Sequence, residues 1–234
     1  MSDNQITQEL KLLADPEKAK NYARFFKTGP GDYGAGDKFI GVTVPDTRYV
    51  ASKYKALSLN DVAVILKDPV HEIRLTALII LTYKFPKADP KIQKQIYELY
   101  LRNLQYVNNW DLIDLSAPKI VGAYLLDKPE QRTILYQLAK SKNLWEKRVS
   151  IISTFAFIKQ SNFQDVLQIA KVLLKDQHDL IHKAIGWMLR EIGKKNELTL
   201  RKFLDQHATK MPRTTLRYAI ERLTPKQKYC YMKK

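Results

Sequence analysis

The feature that most constrains this chain is a spacing. Five polar residues, each set in an otherwise apolar helical stretch, recur at Arg74, Asp111, Arg148, Lys183 and Arg217, at intervals of 37, 37, 35 and 34 residues. Shorter, more polar helical stretches lie between them. A two-helix unit of this length cannot bury its apolar face alone, so it must stack on its neighbours.

The units are only loosely alike, which suits HEAT-like rather than consensus repeats. The expected fold is all-α: a HEAT-like repeat α-solenoid, a superhelical stack of antiparallel helix pairs with a concave basic groove. Apolar periodicity predicts helices near 4–14, 16–27, 45–56, 58–68, 70–85, 89–107, 109–127, 129–141, 143–160, 162–176, 178–195, 197–208 and 211–223. Their breaks carry Asp-Pro at 15–16, 68–69 and 89–90 and Lys-Pro at 128–129, with Ser58 and Ser161 as N-caps. One long stretch, 28–44, is rich in glycine and non-helical. The expected organisation is a single domain, 1–234. It comprises N-terminal helices and the glycine-rich loop (1–57), repeats (58–223) and a short basic tail (224–234).

Charge narrows the partner. Forty Lys and Arg stand against 24 Asp and Glu, a net charge of +16. Residues 141–234 hold 20 of the former and 8 of the latter. Such a chain seeks a polyanion, because each neutralised phosphate releases a condensed counterion. Nucleic acid is favoured over an acidic membrane surface, since no basic amphipathic anchor or lipidation motif stands out. No apolar run approaches the roughly 18–20 residues of a membrane span, and the N-terminal Met-Ser-Asp-Asn-Gln does not read as a signal peptide. The expected location is cytoplasmic.

Other chemistries find no support. A single cysteine, Cys230, rules out an internal disulfide framework and a cysteine-rich metal site. His71, His178, His182 and His207 do not form a metal-ligand pattern. The glycines at 28–41 lack the Gly-Lys-Ser/Thr of a phosphate-binding loop and a preceding strand. No metal and no cofactor are expected.

Four residues stand out on the common phase of the repeats. Trp110 lies one position before Asp111, Asp114 three after it, Arg148 at the repeat position itself, and Trp187 four after Lys183. At about 100° per residue these positions fall within an arc of roughly 140°, so three successive units are able to present them to one groove.

The segments Asn-Asn-Trp-Asp-Leu-Ile-Asp (108–114), Leu-Trp-Glu-Lys-Arg (144–148) and Lys-Ala-Ile-Gly-Trp-Met-Leu-Arg-Glu (183–191) resemble the AlkD-type alkylpurine DNA glycosylases, HEAT-like-repeat proteins of DNA alkylation repair. The resemblance covers about 16–223. It implies hydrolysis of the N-glycosidic bond of 3- and 7-alkylpurines in double-stranded DNA, without base flipping or metal; a monomer is expected. Residue by residue it implies that Trp110 and Asp114 are the family's Trp-x-x-x-Asp pair and Trp187 its second active-site tryptophan. It makes Arg148 the phosphate contact. Phe25 takes the place of an N-terminal aromatic that is more familiar as tyrosine. Arg48, after Thr43, Val44 and Pro45, matches a backbone-contacting arginine.

The chemistry explains why such residues serve. Alkylation at N3 or N7 makes the purine cationic and a better leaving group, and positive charge develops on the deoxyribose as the bond breaks. A carboxylate held near that sugar stabilises the charge and orients water. Asp114 fits best, with Asp111 as the competitor. Trp110 and Trp187 attract a cationic base by roughly 0.5–2 kcal/mol, whereas Trp145 is read as packing. Arg48, Lys183, Arg190, Arg213 and Arg217 are candidates to track the backbone, with Thr43 and Phe25 as further DNA-binding residues. Two rival readings remain. One is a non-catalytic protein that binds damaged or branched DNA, suggested by the altered N-terminal loop. The other is a HEAT-type protein-interaction scaffold, against which the charge and the Trp/Asp/Arg/Trp set both argue.

Overall fold

The computed structural model describes residues 2–233, with side chains from 5 onward. It is helical, with no strand among those residues beyond an isolated bridge between Lys38 and Val70. Contacts divide it into two compact units, Met1–Ser116 and Ala117–Lys234.

The first unit contains α1 (Ser2–Leu12), α2 (Pro16–Phe25), α3 (Val44–Lys53), α4 (Leu59–Ile65), α5 (His71–Lys84), α6 (Pro90–Arg102) and α7 (Trp110–Ser116). The Asp-Pro pairs start helices as the sequence suggests. The Asp15 carboxylate accepts from the amides of Glu17 and Lys18 at 3.0 and 3.1 Å, and Asp89 from Ile92 at 2.9 Å. Proline at the first helical position loses nothing, because its missing N–H would have no partner there. Ser58 caps α4 by accepting from the Asp61 amide at 3.1 Å. The centre of this unit is α5, buried all round from His71 to Thr82. A helix without a polar face belongs inside, and α1, α3, α4 and α7 all pack on it.

The second unit opens with a π-turn (Pro118–Gly122). It continues through α8 (Ala123–Leu125), α9 (Thr133–Ala139), α10 (Leu144–Ser153), α11 (Phe155–Lys159), α12 (Gln164–Leu173), α13 (Asp179–Lys195), α14 (Glu197–His207), α15 (Arg213–Ala219) and α16 (Pro225–Lys233). Here α10 packs against α9, α12 and α13, and α13 against α12, α14 and α15.

The five spaced residues all fall on the second helix of a pair: α5, α7, α10, α13 and α15. Within each unit these helices pack in succession, α5 on α7 and α10 on α13 on α15. Polar side chains tie one repeat to the next. Arg74 Nη2 donates to Asn108 Oδ1 at 3.2 Å, Arg148 Nη1 to the Leu180 carbonyl at 2.6 Å, and Thr215 Oγ1 to the His182 carbonyl at 3.1 Å. Lys147 pairs with Asp176.

Four local expectations need correction. The helix expected over 109–127 is interrupted, because Pro118 has no N–H to continue the ladder and Gly122 N–H reaches back five residues to the Ala117 carbonyl at 2.9 Å. Gly122 also meets the end of α10, where a Cβ would lie 2.1 Å from the Ser153 carbonyl. The helix expected over 143–160 breaks at Thr154, whose hydroxyl donates to the Ile151 carbonyl at 2.5 Å. Ser161 is not an N-cap: it takes a left-handed φ of 57° after α11, and α12 begins after Phe163 with no side-chain cap. The stretch 224–234 is not only a tail. Thr224 and Gln227 cap α16 reciprocally, and Tyr231 is buried with its hydroxyl on Asp205 at 2.9 Å.

Among the described residues, no helix is long and apolar enough to cross a membrane.

Candidate functional site

The site in the first unit is built on the start of α7. The Asn109 side chain accepts from the Trp110 amide at 2.9 Å, which fixes the first turn and presents the indole. Asp114 follows one turn later, half-buried, on the same face of the helix. The indole is not isolated. The Phe26 ring stacks on it with centroids 5.3 Å apart at 22°, and Phe25 meets it edge-on at 5.9 Å. Phe26 in turn stacks on Phe39 at 4.9 Å and 16°. Phe25 is 64% exposed, so one aromatic edge beside Trp110 faces solvent.

Phe26 and Phe39 come from either end of the glycine-rich segment, which the sequence marked only as a loop. The structure shows how it is held. The Glu72 carboxylate, at the start of α5, accepts from the amides of Ile40, Gly41 and Val42 at 2.8–3.3 Å. The Lys38 carbonyl accepts from the His71 amide at 2.8 Å. Gly41 has a φ of 84°, and a Cβ there would lie 2.0 Å from the Asp15 carbonyl, so only glycine fits.

Beneath the rings lies a charged cluster that sequence reasoning missed. His71 is 2% exposed at its side chain and lies between two carboxylates, with Nδ1 2.9 Å from Asp37 and Nε2 2.7 Å from Asp111. Asp37 also takes the Arg74 guanidinium and the Asn109 amide at 3.2 Å. Arg74 donates further to the Asp68 and Pro69 carbonyls at 2.9 and 3.0 Å. Burial alone would lower the His71 pKa, but Asp111 and Asp37 outweigh it and raise the value to about 9. Burial pushes the Asp37 carboxyl up, yet His71 and Arg74 bring it below its ordinary value. The imidazole stacks on Phe39 at 4.5 Å and contacts Phe26 at 5.2 Å. The sequence signals were His71, Glu72 and Arg74 crowded at the start of a mostly apolar helix.

The other expected residues fall in different surroundings. Thr43 is the N-cap of α3, its hydroxyl 3.3 Å from the Asp46 amide and 2.5 Å from the Asp46 carboxylate. Arg48, on α3, is half-buried and makes no hydrogen bond or ion pair among the described residues. In the second unit, Arg148 is 5% exposed and held by the Leu180 carbonyl. Trp187, on α13, donates from Nε1 to Glu191 at 3.2 Å and tilts against Phe155 at 5.9 Å. Lys183 pairs with Asp179 at 2.7 Å, and Arg190 with Glu221. Arg217 is exposed on α15 and unpaired among the described residues. His178 and His182 serve their own loop: His178 Nδ1 accepts from the Leu180 amide at 3.1 Å, and His182 Nε2 contacts the Asp176 carbonyl at 2.6 Å.

Known structures share this architecture. A predicted DNA alkylation repair enzyme from Enterococcus faecalis is 15% identical, with a TM-score of 0.71, over 91% of this chain and 97% of its own. AlkD2 from Streptococcus mutans is 17% identical, with a TM-score of 0.59, over 88% of this chain and 98% of its own. At such identities the likeness speaks for the fold alone. Comparison with curated proteins gives no match. The model of the DNA alkylation repair enzyme family, however, matches residues 6–223, a span that holds α2 to α15 with every aromatic, carboxylate and guanidinium of the site, and the chain therefore belongs to that family.

Proposed function

We propose that the protein is a monofunctional DNA glycosylase that releases cationic 3- or 7-alkylated purines from duplex DNA, without flipping the base, and leaves an abasic site. The observation that carries this reading is the start of α7. An indole braced by Phe26 and edged by the exposed Phe25 stands one turn before a half-buried carboxylate. An electron-rich ring recognises the positive charge that distinguishes an alkylated purine from a normal one. A carboxylate one turn away stabilises the charge that develops on the sugar as the base departs.

In this reading Trp110 and Trp187 contact the lesion and Asp114 supports the sugar and the attacking water. Phe25 lies along the lesion strand, and Thr43 positions the Arg48 helix. Arg48, Lys183, Arg190 and Arg217 track phosphates. Arg48 and Arg217 are the most available, because neither is committed to another group among the described residues. Arg148 meets the phosphate beside the lesion through its narrow exposed edge, already oriented by the Leu180 carbonyl. No metal or cofactor takes part, and a monomer acts on double-stranded DNA.

The test is release of 7-methylguanine from methylated duplex DNA by wild type and by Asp114→Asn. Release by wild type, slowed at least about tenfold in the variant, supports the enzyme and the role of Asp114. Binding of the duplex without release by wild type overturns the glycosylase reading and leaves a binding protein for damaged DNA.

A further inference from the structure

We propose that His71 is a positioning residue for this site: an imidazolium held between Asp37 and Asp111 that pegs α7 to α5 and holds the Phe39–Phe26–Trp110 stack in place. The inference rests on the glycosylase reading for what the site does, but not for how the site is built.

An ionised carboxylate only accepts hydrogen bonds. His71 offers one ring nitrogen to Asp37 and the other to Asp111, at 2.9 and 2.7 Å. Both nitrogens must therefore carry a proton, and a ring with two N–H groups is a cation. Asp37 stays ionised because the Arg74 guanidinium lies against its other oxygen. His71 and Arg74 thus balance Asp37 and Asp111, and a buried cluster of two cations and two anions is neutral as a whole. Removing one member leaves its partner charged and unpaired in a low-dielectric setting, which is far more costly than never having built the pair.

The same cluster gives Asp111 a structural role. Asp111 and Asp114 lie one turn apart, and sequence alone leaves Asp111 in competition. In the structure Asp111 Oδ2 faces the imidazolium, and the side chain is only 18% exposed. A carboxylate neutralised by a buried cation is a poor stabiliser of a developing oxocarbenium ion. Asp111 serves instead as the peg by which α7 is fixed to α5.

The rings follow from the cation. Phe39 lies flat on the imidazolium at 4.5 Å, Phe26 on Phe39 at 4.9 Å, and Trp110 on Phe26 at 5.3 Å. A cation over a π face is a favourable, oriented contact. His71 thus grips both ends of the arrangement, through Asp111 on the helix that carries Trp110 and through Phe39 under the ring that braces it. Only the glycine-rich segment supplies Asp37 and Phe39, which gives that segment a purpose in the site.

The experiment has an arm that needs no activity. In wild type, the ¹⁵N shifts of His71 at pH 7.5 are expected to show both ring nitrogens protonated, and a neutral tautomer overturns the proposal. The indole N–H signal of Trp110, identified by its loss in Trp110→Phe, is expected to move in His71→Gln while helix content is retained. An unmoved signal overturns the proposal even where the wild type releases no base and the glycosylase reading has itself failed. Where wild type does release base, His71→Gln is expected to lower the single-turnover rate at least tenfold while duplex affinity stays within threefold. The double variant His71→Gln/Asp111→Asn, which removes the stranded charge, is expected to fold if the single variant does not but to keep the lowered rate, because the grip on Phe39 and the peg on α7 are both lost. Recovery of the wild-type rate in the double variant overturns the positioning role of His71.

Discussion

Phe26 lies flat against Trp110, its centroid 5.3 Å away at 22°, while its neighbour Phe25 touches the same indole only by its edge and is largely exposed. Two adjacent phenylalanines therefore have different jobs. Phe26→Ala opens a gap between Phe39 and Trp110 and is expected to lower stability by about 2 kcal/mol, below the range for a fully enclosed ring because Phe26 is only half-buried. Phe25→Ala is expected to change stability by no more than about 0.5 kcal/mol but to slow base release about fivefold, the equivalent of one exposed cation–π contact. Urea titration and single-turnover release on the two variants separate bracing from recognition. Equal effects of both variants in either assay would show that no such division exists.

Arg48 and Arg217 are the expected phosphate contacts with no other commitment among the described residues. Each substitution to alanine is expected to flatten the dependence of log affinity on log salt by about 0.9. Lys183→Ala is expected to do less, because its charge is already shared with Asp179 at 2.7 Å. Duplex binding measured between 50 and 200 mM salt, conditions in which counterion release is readily resolved, decides the ranking.

Stability should carry the signature of His71. Its pKa is raised from 6.5 to about 9 in the folded chain, so the folded state holds its proton more tightly than the unfolded one. The stabilisation this contributes is fully present below the unfolded value and is lost as pH rises through about 9. Asp37 acts in the opposite sense: its pKa is lowered, so its contribution is present above the ordinary carboxylate range and is lost as pH falls through the folded value. Urea midpoints of wild type are expected to fall between pH 7 and 9.5, and those of His71→Gln to lose most of that fall. Parallel curves for the two proteins would refute the linkage.

The glycines of the loop are not equivalent. Gly41→Ala forces a Cβ into the Asp15 carbonyl at a left-handed φ and is expected to cost about 3 kcal/mol or more. Gly31 has nearly the same φ, 82°, but nothing within 4 Å of an added Cβ. Gly31→Ala is expected to cost only the conformational penalty of about 1 kcal/mol. Thermal melts of the pair test whether close approach, rather than backbone angle, sets the difference.

Repeat spacing and helix type were legible because they rest on local apolar periodicity, which stacking does not overturn. Arg74, Asp111, Arg148, Lys183 and Arg217 each sit on the expected helix. What periodicity cannot show is a change of hydrogen-bond register, as at Pro118, or a contact between distant residues. The Asp37–His71–Asp111 cluster joins positions 34 and 40 residues apart, and nothing in the sequence near any one of them announces the other two. Arg148 illustrates a different difficulty. An arginine at a repeat position fits both a phosphate contact and a tie to the next helix, and its bond to Leu180 reveals that the tie exists. The helix after Thr224 was legible after all, since Thr224 and Gln227 have the spacing of a reciprocal cap, a signal that the high density of lysines obscures.

The three amides gathered by Glu72, and the bond between Lys38 and His71, have one further consequence. They anchor the returning end of the glycine-rich loop so firmly that its exposed tip around Gly31 is free to drift in length and composition without disturbing the aromatic stack. Doubling the length of a flexible loop costs only about 0.6 kcal/mol in closure entropy. Evolution, or an engineer, is therefore able to rewrite residues 30–32 as an exchangeable fingertip while the knuckle behind it, where a Cβ on Gly34 would lie 2.4 Å from the Phe26 carbonyl, stays the same.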